Sequence, residues 1–354
     1  MLIWDSLQGK MGLSLERVLH DTIHGSGERV RHMQSFMNGR NDLIRNQLCE
    51  LNEGGFLNDS EVSLTEQSRD MLRELGLSVA SGYTNNDDII KPDQVKPRKL
   101  IFDREEMKQL ELLSKTITEP HFSSVRERLA SRNMPMGITA VLHGPPGTGK
   151  TEAVKQLART TGREIMEVDI SETKSMWFGK SEKLIKGMFR LYRDRVKSSK
   201  LVPILLFNEA DGVLSTRRQI GNSNVGQTEN AIQNILLDEL EKFEGILIAT
   251  TNLVTNLDKA FERRFLFKIK FSKPGIKQRA RIWKLKIPVL SDNECNMLAG
   301  RYHLSGGQID NIARKSEIQD IVYGEKSSLN NIISFCEEEV MGKEHAKIGY
   351  MNRN

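Results

Sequence analysis

Gly144-Pro145-Pro146-Gly147-Thr148-Gly149-Lys150-Thr151 is the stretch on which the fold of this chain turns. It satisfies the spacing G-x-x-x-x-G-K-[ST] in full. An apolar run at 138–142 precedes it, and an amphipathic stretch marked by Ala153, Leu157 and Ala158 follows it. Strand, glycine loop and helix in that order form a cradle for a polyphosphate. Glycines let successive backbone N–H groups close on the anion, and the helix N-terminus adds partial positive charge. Lys150 is expected to reach the β- and γ-phosphates and Thr151 to put its hydroxyl on Mg²⁺.

Outward from the loop, apolar runs alternate with longer amphipathic stretches. Runs at 138–142, 165–168, 201–207, 246–250 and 267–271 are five strand candidates separated by helices. That alternation predicts an α/β fold with a doubly wound parallel sheet. Residues 273–341 lose the strand pattern and read as helices near 275–286, 291–302, 306–322 and 327–341.

A second nucleotide signal lies at the end of the run 204–207, where Asn208-Glu209-Ala210-Asp211 follows. Carboxylates at the C-terminal end of a strand neighbouring the phosphate loop are where such a fold holds its metal and attacking water. Glu209 is the expected base, and Asn208 stands where an aspartate is usual. A divalent ion and one carboxylate ~5 Å apart attract by about 7 kcal/mol at an effective dielectric of ~20, as a ceiling before solvation. Asparagine keeps the acceptor oxygen without the charge, so weakened rather than abolished Mg²⁺ affinity is expected.

The chain has 354 residues, 38% of them hydrophobic and 28% charged, enough to bury a core and too apolar for general disorder. No apolar run is long enough for a transmembrane helix, so no membrane insertion is expected, and the first residues show no signal-peptide pattern. Cys49, Cys295 and Cys336 are scattered, which fits a reducing, cytoplasmic setting and packing roles. The net charge of +5 is uneven: residues 1–99 carry 12 basic against 15 acidic side chains, so the basic excess lies beyond them.

In the first third, residues 1–28 read as a loose lead-in, or as the end of a domain that starts elsewhere. Leu43, Ile44, Gln47, Leu48 and Leu51 read as a helix closed by Gly54-Gly55. Phe56-Leu57 and Val62 to Leu64 read as a hairpin, and Ser63 with Glu66 as a capping box for a helix through Met71 and Leu75. Such a unit is either part of a winged helix or a small adaptor. The expected divisions are a small α+β region at 1–80, a Pro-containing linker at 81–99, a nucleotide-binding α/β region at 100–272, a helical region at 273–341 and a tail at 342–354.

With these motifs in place, residues 100–340 resemble the AAA clade of AAA+ ATPases. GPPGTGKT at 144–151 is the form of the phosphate loop usual there, and the segment 208–211 takes the Walker B place. Ala249-Thr250-Thr251-Asn252 resembles the sensor 1 strand, with Asn252 positioning water near the γ-phosphate. Leu257-Asp258-Lys259-Ala260-Phe261-Glu262-Arg263-Arg264-Phe265 is similar to the end of the second region of homology, with Arg263 and Arg264 as arginine fingers. Lys174-Ser175-Met176-Trp177-Phe178-Gly179-Lys180-Ser181-Glu182 resembles pore loop 1, and with the paired arginines it is most similar to the katanin, spastin and ESCRT-disassembling branch. The resemblance implies ATP and Mg as cofactors, a C-terminal helical lid, and a homo-oligomer, a hexamer in that branch. It implies a protein substrate gripped in a central pore by Trp177, Phe178 and Gly179. Gly306 and Gly307, after Ser305, fall where the lid meets nucleotide. Asp310 stands near the place of a sensor 2 arginine; Arg314, one turn later, is either its substitute or a surface residue. Residues 100–102 are the expected part of the adenine pocket.

Three functions compete on these residues. One is an ATPase that remodels protein as an oligomer. A second is a nucleotide-binding switch with weak hydrolysis, suggested by Asn208. The third is an ATP-dependent DNA-associated factor, which needs a basic recognition helix near 66–75. Arg69 and Arg73 there face Glu66, Asp70 and Glu74, so nucleic acid is the less expected partner.

Overall fold

The computed structural model describes residues 13–52, 60–65, 67–68, 71–72, 75, 89–169, 181–216, 224–253 and 257–341. The chain divides into two compact units, residues 1–88 and 89–354.

In the first unit, β1 (Leu13–Ser14), α1 (Leu15–Thr22), α2 (Ser26–Met37), α3 (Asp42–Arg45), β2 (Cys49–Asn52) and β3 (Glu61–Leu64) follow in order. The sheet runs β1-β3-β2, antiparallel throughout. Three expectations need correction. Residues 13–28 are not a loose lead-in, because Leu15 and Leu19 put one helical face into a core with Phe36, Cys49, Val62 and Leu64. The helix expected through Leu51 stops at Arg45, since Gln47 turns left-handed (φ 55°) and the alternation of Cys49 and Leu51 continues as a strand. Ser63 lies inside β3, and Thr65 takes the capping role by accepting from Ser68 N at 3.2 Å. Phe56, Leu57 and Glu66 fall outside the described residues, as does the tail 342–354.

The second unit opens with β4 (Ile89–Ile90), placed in the segment read as linker. Two β-branched residues pair antiparallel with Met166 and Ile165, and Pro92 follows after Lys91, as an edge strand tolerates. Then come α4 (Arg104–Ile117), α5 (His121–Ala130), β5 (Ile138–His143), α6 (Lys150–Thr161), β6 (Ile165–Asp169), α7 (Ser181–Ser198), β7 (Ile204–Asn208), α8 (Asp211–Leu214), α9 (Asn224–Glu241), β8 (Ile246–Thr251), α10 (Lys259–Glu262) and β9 (Phe267–Lys270). The sheet order is β4-β6-β7-β8-β5-β9, parallel apart from β4. Central strands are buried along their length, as a sheet covered on both faces requires. Each such Val, Leu, Ile or Phe contributes about 1.5–3 kcal/mol by burial. The result is the α/β P-loop architecture of an AAA+ core.

Four helices complete the unit: α11 (Ile276–Lys286), α12 (Asp292–Arg301), α13 (Gly306–Tyr323) and α14 (Leu329–Met341). They pack around a fully buried Trp283, with Leu298, Ile309, Ile312, Ile332 and Cys336. Ser291 and Ser305 each close a capping box, with Glu294 and Gln308. The three cysteines are free and buried, and Cys336 is pushed up to about 12 by burial.

Candidate active site

The C-terminal ends of β5, β7 and β8 converge, and the phosphate loop leaves the first of them. Its curvature demands glycine at two points. Gly144 has φ 145°, and a Cβ there would lie 2.0 Å from the Phe271 carbonyl oxygen. Gly147 has φ 74°, and a Cβ would lie 2.7 Å from Ser305 Oγ. Gly149 caps α6 in the left-handed region, and Thr148 Oγ1 donates to Pro145 O at 2.9 Å, fixing the crown of the loop. Pro146 lies between these anchors.

Lys150 is 7% exposed, and its ammonium donates to Gly144 O at 2.7 Å, Pro145 O at 2.9 Å and Asn252 Oδ1 at 2.9 Å. Burial lowers its pKa below the usual lysine range, opposed by the charges of Asp211 and Glu209. Thr151 Oγ1 donates to Asn208 Oδ1 at 2.9 Å. Loop, Asn208 and Asn252 are thus joined side chain to side chain.

The turn after β7 is held by a pair of threonines to which the sequence assigned no role. Thr250 Oγ1 donates to Asn208 Oδ1 at 2.9 Å and accepts from Glu209 N at 3.1 Å. Thr251 Oγ1 donates to Asp211 Oδ1 at 2.6 Å, and the same oxygen accepts from Asn252 N at 2.8 Å. Asp211 therefore sets the backbone that carries Asn252. Glu209 is exposed and left-handed, with φ 49°. A non-glycine residue there costs about 1–3 kcal/mol and persists only where its surroundings fix it. The available signal was the run of two hydroxyls beside Asn252, but only strand register shows what they face.

A cavity of about 390 Å³ adjoins the loop, within the range of small-ligand sites. Leu100, Ile101, Phe102, Pro274, Ile282 and Leu285 give it apolar walls, while Gly147, Thr148, Gly149, Gly306 and Gly307 form the side toward the phosphate loop. Gly307 N donates to Gly147 O at 2.9 Å, tying α13 to the loop. Glu106 is buried at the cavity edge and accepts from Ser272 N at 2.6 Å and Asp103 N at 3.1 Å. Burial pushes its carboxyl up, against the pull of those two backbone bonds. Asp310 pairs with Lys286 at the cavity wall, and Arg314 is exposed.

The fit to the expected cofactors follows from the donor set. An adenine-sized apolar slot opens onto a glycine cradle with a buried ammonium. Mg²⁺ is usually held by one or two protein oxygens beside substrate phosphates. Thr151 Oγ1 would supply one such oxygen, and Asn208, whose Oδ1 accepts from both Thr151 and Thr250, would act by orienting it. A hydroxyl that gives its proton to Asn208 keeps lone pairs for a metal, so Asn208 orients Thr151 even without a charge. Among the described residues no cluster of His, Cys, Asp and Glu offers another metal site.

The paired arginines part company. Arg264 is held within its own chain, donating to Ala260 O at 3.1 Å and Glu241 Oε2 at 2.8 Å. Arg263 is exposed. Trp177, Phe178 and Gly179 lie outside the described residues.

Fold and site define a P-loop nucleotide-binding domain. Residues 140–273 match the family model described as ATPase family associated with various cellular activities (AAA), so this stretch is an AAA ATPase domain. Protein CdcH of Halobacterium salinarum is 34% identical over 195 residues, covering 52% of this chain and 25% of that protein. Vacuolar protein sorting-associated protein 4 of Dictyostelium discoideum is 30% identical over 152 residues, 42% of this chain and 32% of its own length. Cell division protein C of Sulfolobus acidocaldarius is 31% identical over 147 residues, 41% and 39%. The chain spans about a quarter to a third of the first of these curated relatives. Among the described residues no helix is long and apolar enough to cross a membrane.

Proposed function

We propose that this chain hydrolyses ATP to ADP and phosphate and uses the cycle, as a homo-oligomer, to remodel a protein substrate. The observation that carries the reading is the joining of three strand ends at one point: Lys150 to Asn252, and Thr151 to Asn208 beside Glu209. The loop and Lys150 bind the phosphates; Thr151, oriented by Asn208, would hold Mg²⁺, which when bound would supply positive charge at the phosphate oxygens. Glu209 takes the proton of the attacking water, and Asn252 orients that water. Similarity to a vacuolar sorting protein, cell division proteins and a proteasome regulatory subunit supports work on proteins without selecting the katanin and spastin branch. A hexamer with Trp177, Phe178 and Gly179 in its pore is the form that the motif at 174–182 favours.

Arg263 is the better intersubunit finger, being exposed while Arg264 is bound at home. The test is complementation. Arg263→Ala should cut ATPase activity tenfold or more, consistent with the large share such arginines supply elsewhere. Mixed with Glu209→Gln subunits, it should recover activity above the sum of the two alone, because one interface then holds an intact base and an intact finger. Activity independent of protein concentration, with no recovery on mixing, overturns the oligomeric site.

The second reading, a slow switch, rests on Asn208. Asn208→Asp keeps both hydroxyl contacts and adds a charge. Half-saturating Mg²⁺ should fall by about 5–30-fold, the equivalent of one or two kcal/mol. An unchanged Mg²⁺ titration removes position 208 from the metal site.

A further inference from the structure

We propose that Thr250 is a positioning residue that fixes the backbone of Glu209, and with it the direction of the general base. The inference rests on the reading of Glu209 given above. The β7–β8 ladder pairs Phe207 with Ala249 and no residue beyond. At that point β7 parts from β8 while Asn208 still pairs with Asp169 of β6, and the N–H groups of 209 and 210 lie beyond both ladders. Thr250 takes both: its hydroxyl accepts from Glu209 N at 3.1 Å and its carbonyl accepts from Ala210 N at 2.9 Å. The hydroxyl proton goes to Asn208 Oδ1 at 2.9 Å. Thr250 is 2% exposed, so no bulk water replaces it.

One side chain therefore spans the turn in which Glu209 is left-handed at φ 49°. The same Asn208 oxygen accepts from Thr151 at 2.9 Å, so a continuous chain runs from the phosphate loop through Asn208 and Thr250 to the Glu209 amide. Without the hydroxyl, the Glu209 N–H loses the partner that holds this conformation. Residues 208 and 209 would still be present, but the carboxylate would no longer be aimed. The loss should fall on the chemical step and spare binding, since Lys150 and the glycines make no bond to Thr250.

Thr250→Ser and Thr250→Ala both lack the γ-methyl and differ only in the hydroxyl, so their comparison isolates it. With the full chain, the serine variant should turn over ATP about 10–100-fold faster than the alanine variant, at KM values within about threefold of each other. Thr250→Val, which keeps the shape, should match the alanine variant in kcat and bind ATP as wild type does. A ratio of serine to alanine rates below about threefold overturns the proposal, as does a loss in the alanine variant carried by KM and melting temperature together with kcat. Glu209→Gln run in parallel separates the levels: if it is inactive while the serine and alanine variants agree, only the role of Thr250 fails. If Glu209→Gln turns over ATP normally, the base assignment falls and the positioning role falls with it.

Discussion

ATP should raise the melting temperature of the wild-type chain and leave that of Lys150→Ala where it was. At a concentration 100 times Kd, binding stabilises the folded state by about 2.7 kcal/mol. For a domain of this size that is roughly 5–10 °C in Tm. Lys150 is 7% exposed, and its three hydrogen bonds all point toward groups that surround the phosphate cradle. Removing one member of a buried charged contact costs about 3–5 kcal/mol. That corresponds to about 10²–10⁴-fold in Kd. The same ATP concentration then lies at or below Kd, and the shift vanishes. The fold itself should survive, because the lysine is bound to the loop and to Asn252 and its side chain does not belong to the apolar core under the sheet. An ATP-dependent shift equal to that of wild type would remove the phosphate loop from the binding site.

The parts of the fold with strong periodicity were legible in the sequence. The apolar runs became the five parallel strands: β5, β7 and β8 are buried on both faces and leave no polar alternation to blur them, while the edge strand β9 shows the alternation of a half-buried strand. The helices after residue 273 matched to within a few residues, helped by the capping serines Ser291 and Ser305. Short elements were not legible. β4 is two residues long and sits among prolines and charged residues, and only pairing with β6 makes it a strand. In the first unit the helical spacing of Leu43, Ile44, Leu48 and Leu51 concealed a left-handed turn at Gln47.

At the site, motif residues carried their own chemical signature and the residues that aim them did not. Lys150 and Thr151 stand out by spacing. Thr250 and Asp211 act through register: each bonds a group on the other strand end, 40–42 positions away in sequence. The cavity lining comes from four distant segments, of which residues 100–102, the phosphate loop and Gly306-Gly307 were expected while Pro274, Ile282 and Leu285 were not. Its surface is assembled by the lid against the segment before α4, a tertiary fact with no local pattern.

The other large effect belongs to Glu209. Glu209→Gln should bind ATP as wild type does and hydrolyse it about 10²–10⁴-fold more slowly, the usual share of a general base. Glutamine keeps the length and an acceptor oxygen, so it can still hold the water but cannot take its proton. The backbone contacts of residue 209 are to Thr250 and do not involve the carboxylate, so the turn should stand. Binding should be preserved because the carboxylate is exposed and makes no hydrogen bond to Lys150, whose partners are Gly144, Pro145 and Asn252. Loss of a negative charge near Lys150 should, if anything, favour the anionic nucleotide. Single-turnover hydrolysis beside an equilibrium Kd for ATP checks both halves. A normal rate would place the base elsewhere, whereas a parallel loss of binding would show that the carboxylate is needed for the shape of the site. With binding intact and hydrolysis lost, the proposed homo-oligomer should accumulate in its assembled form, which sedimentation in the presence of ATP reads directly.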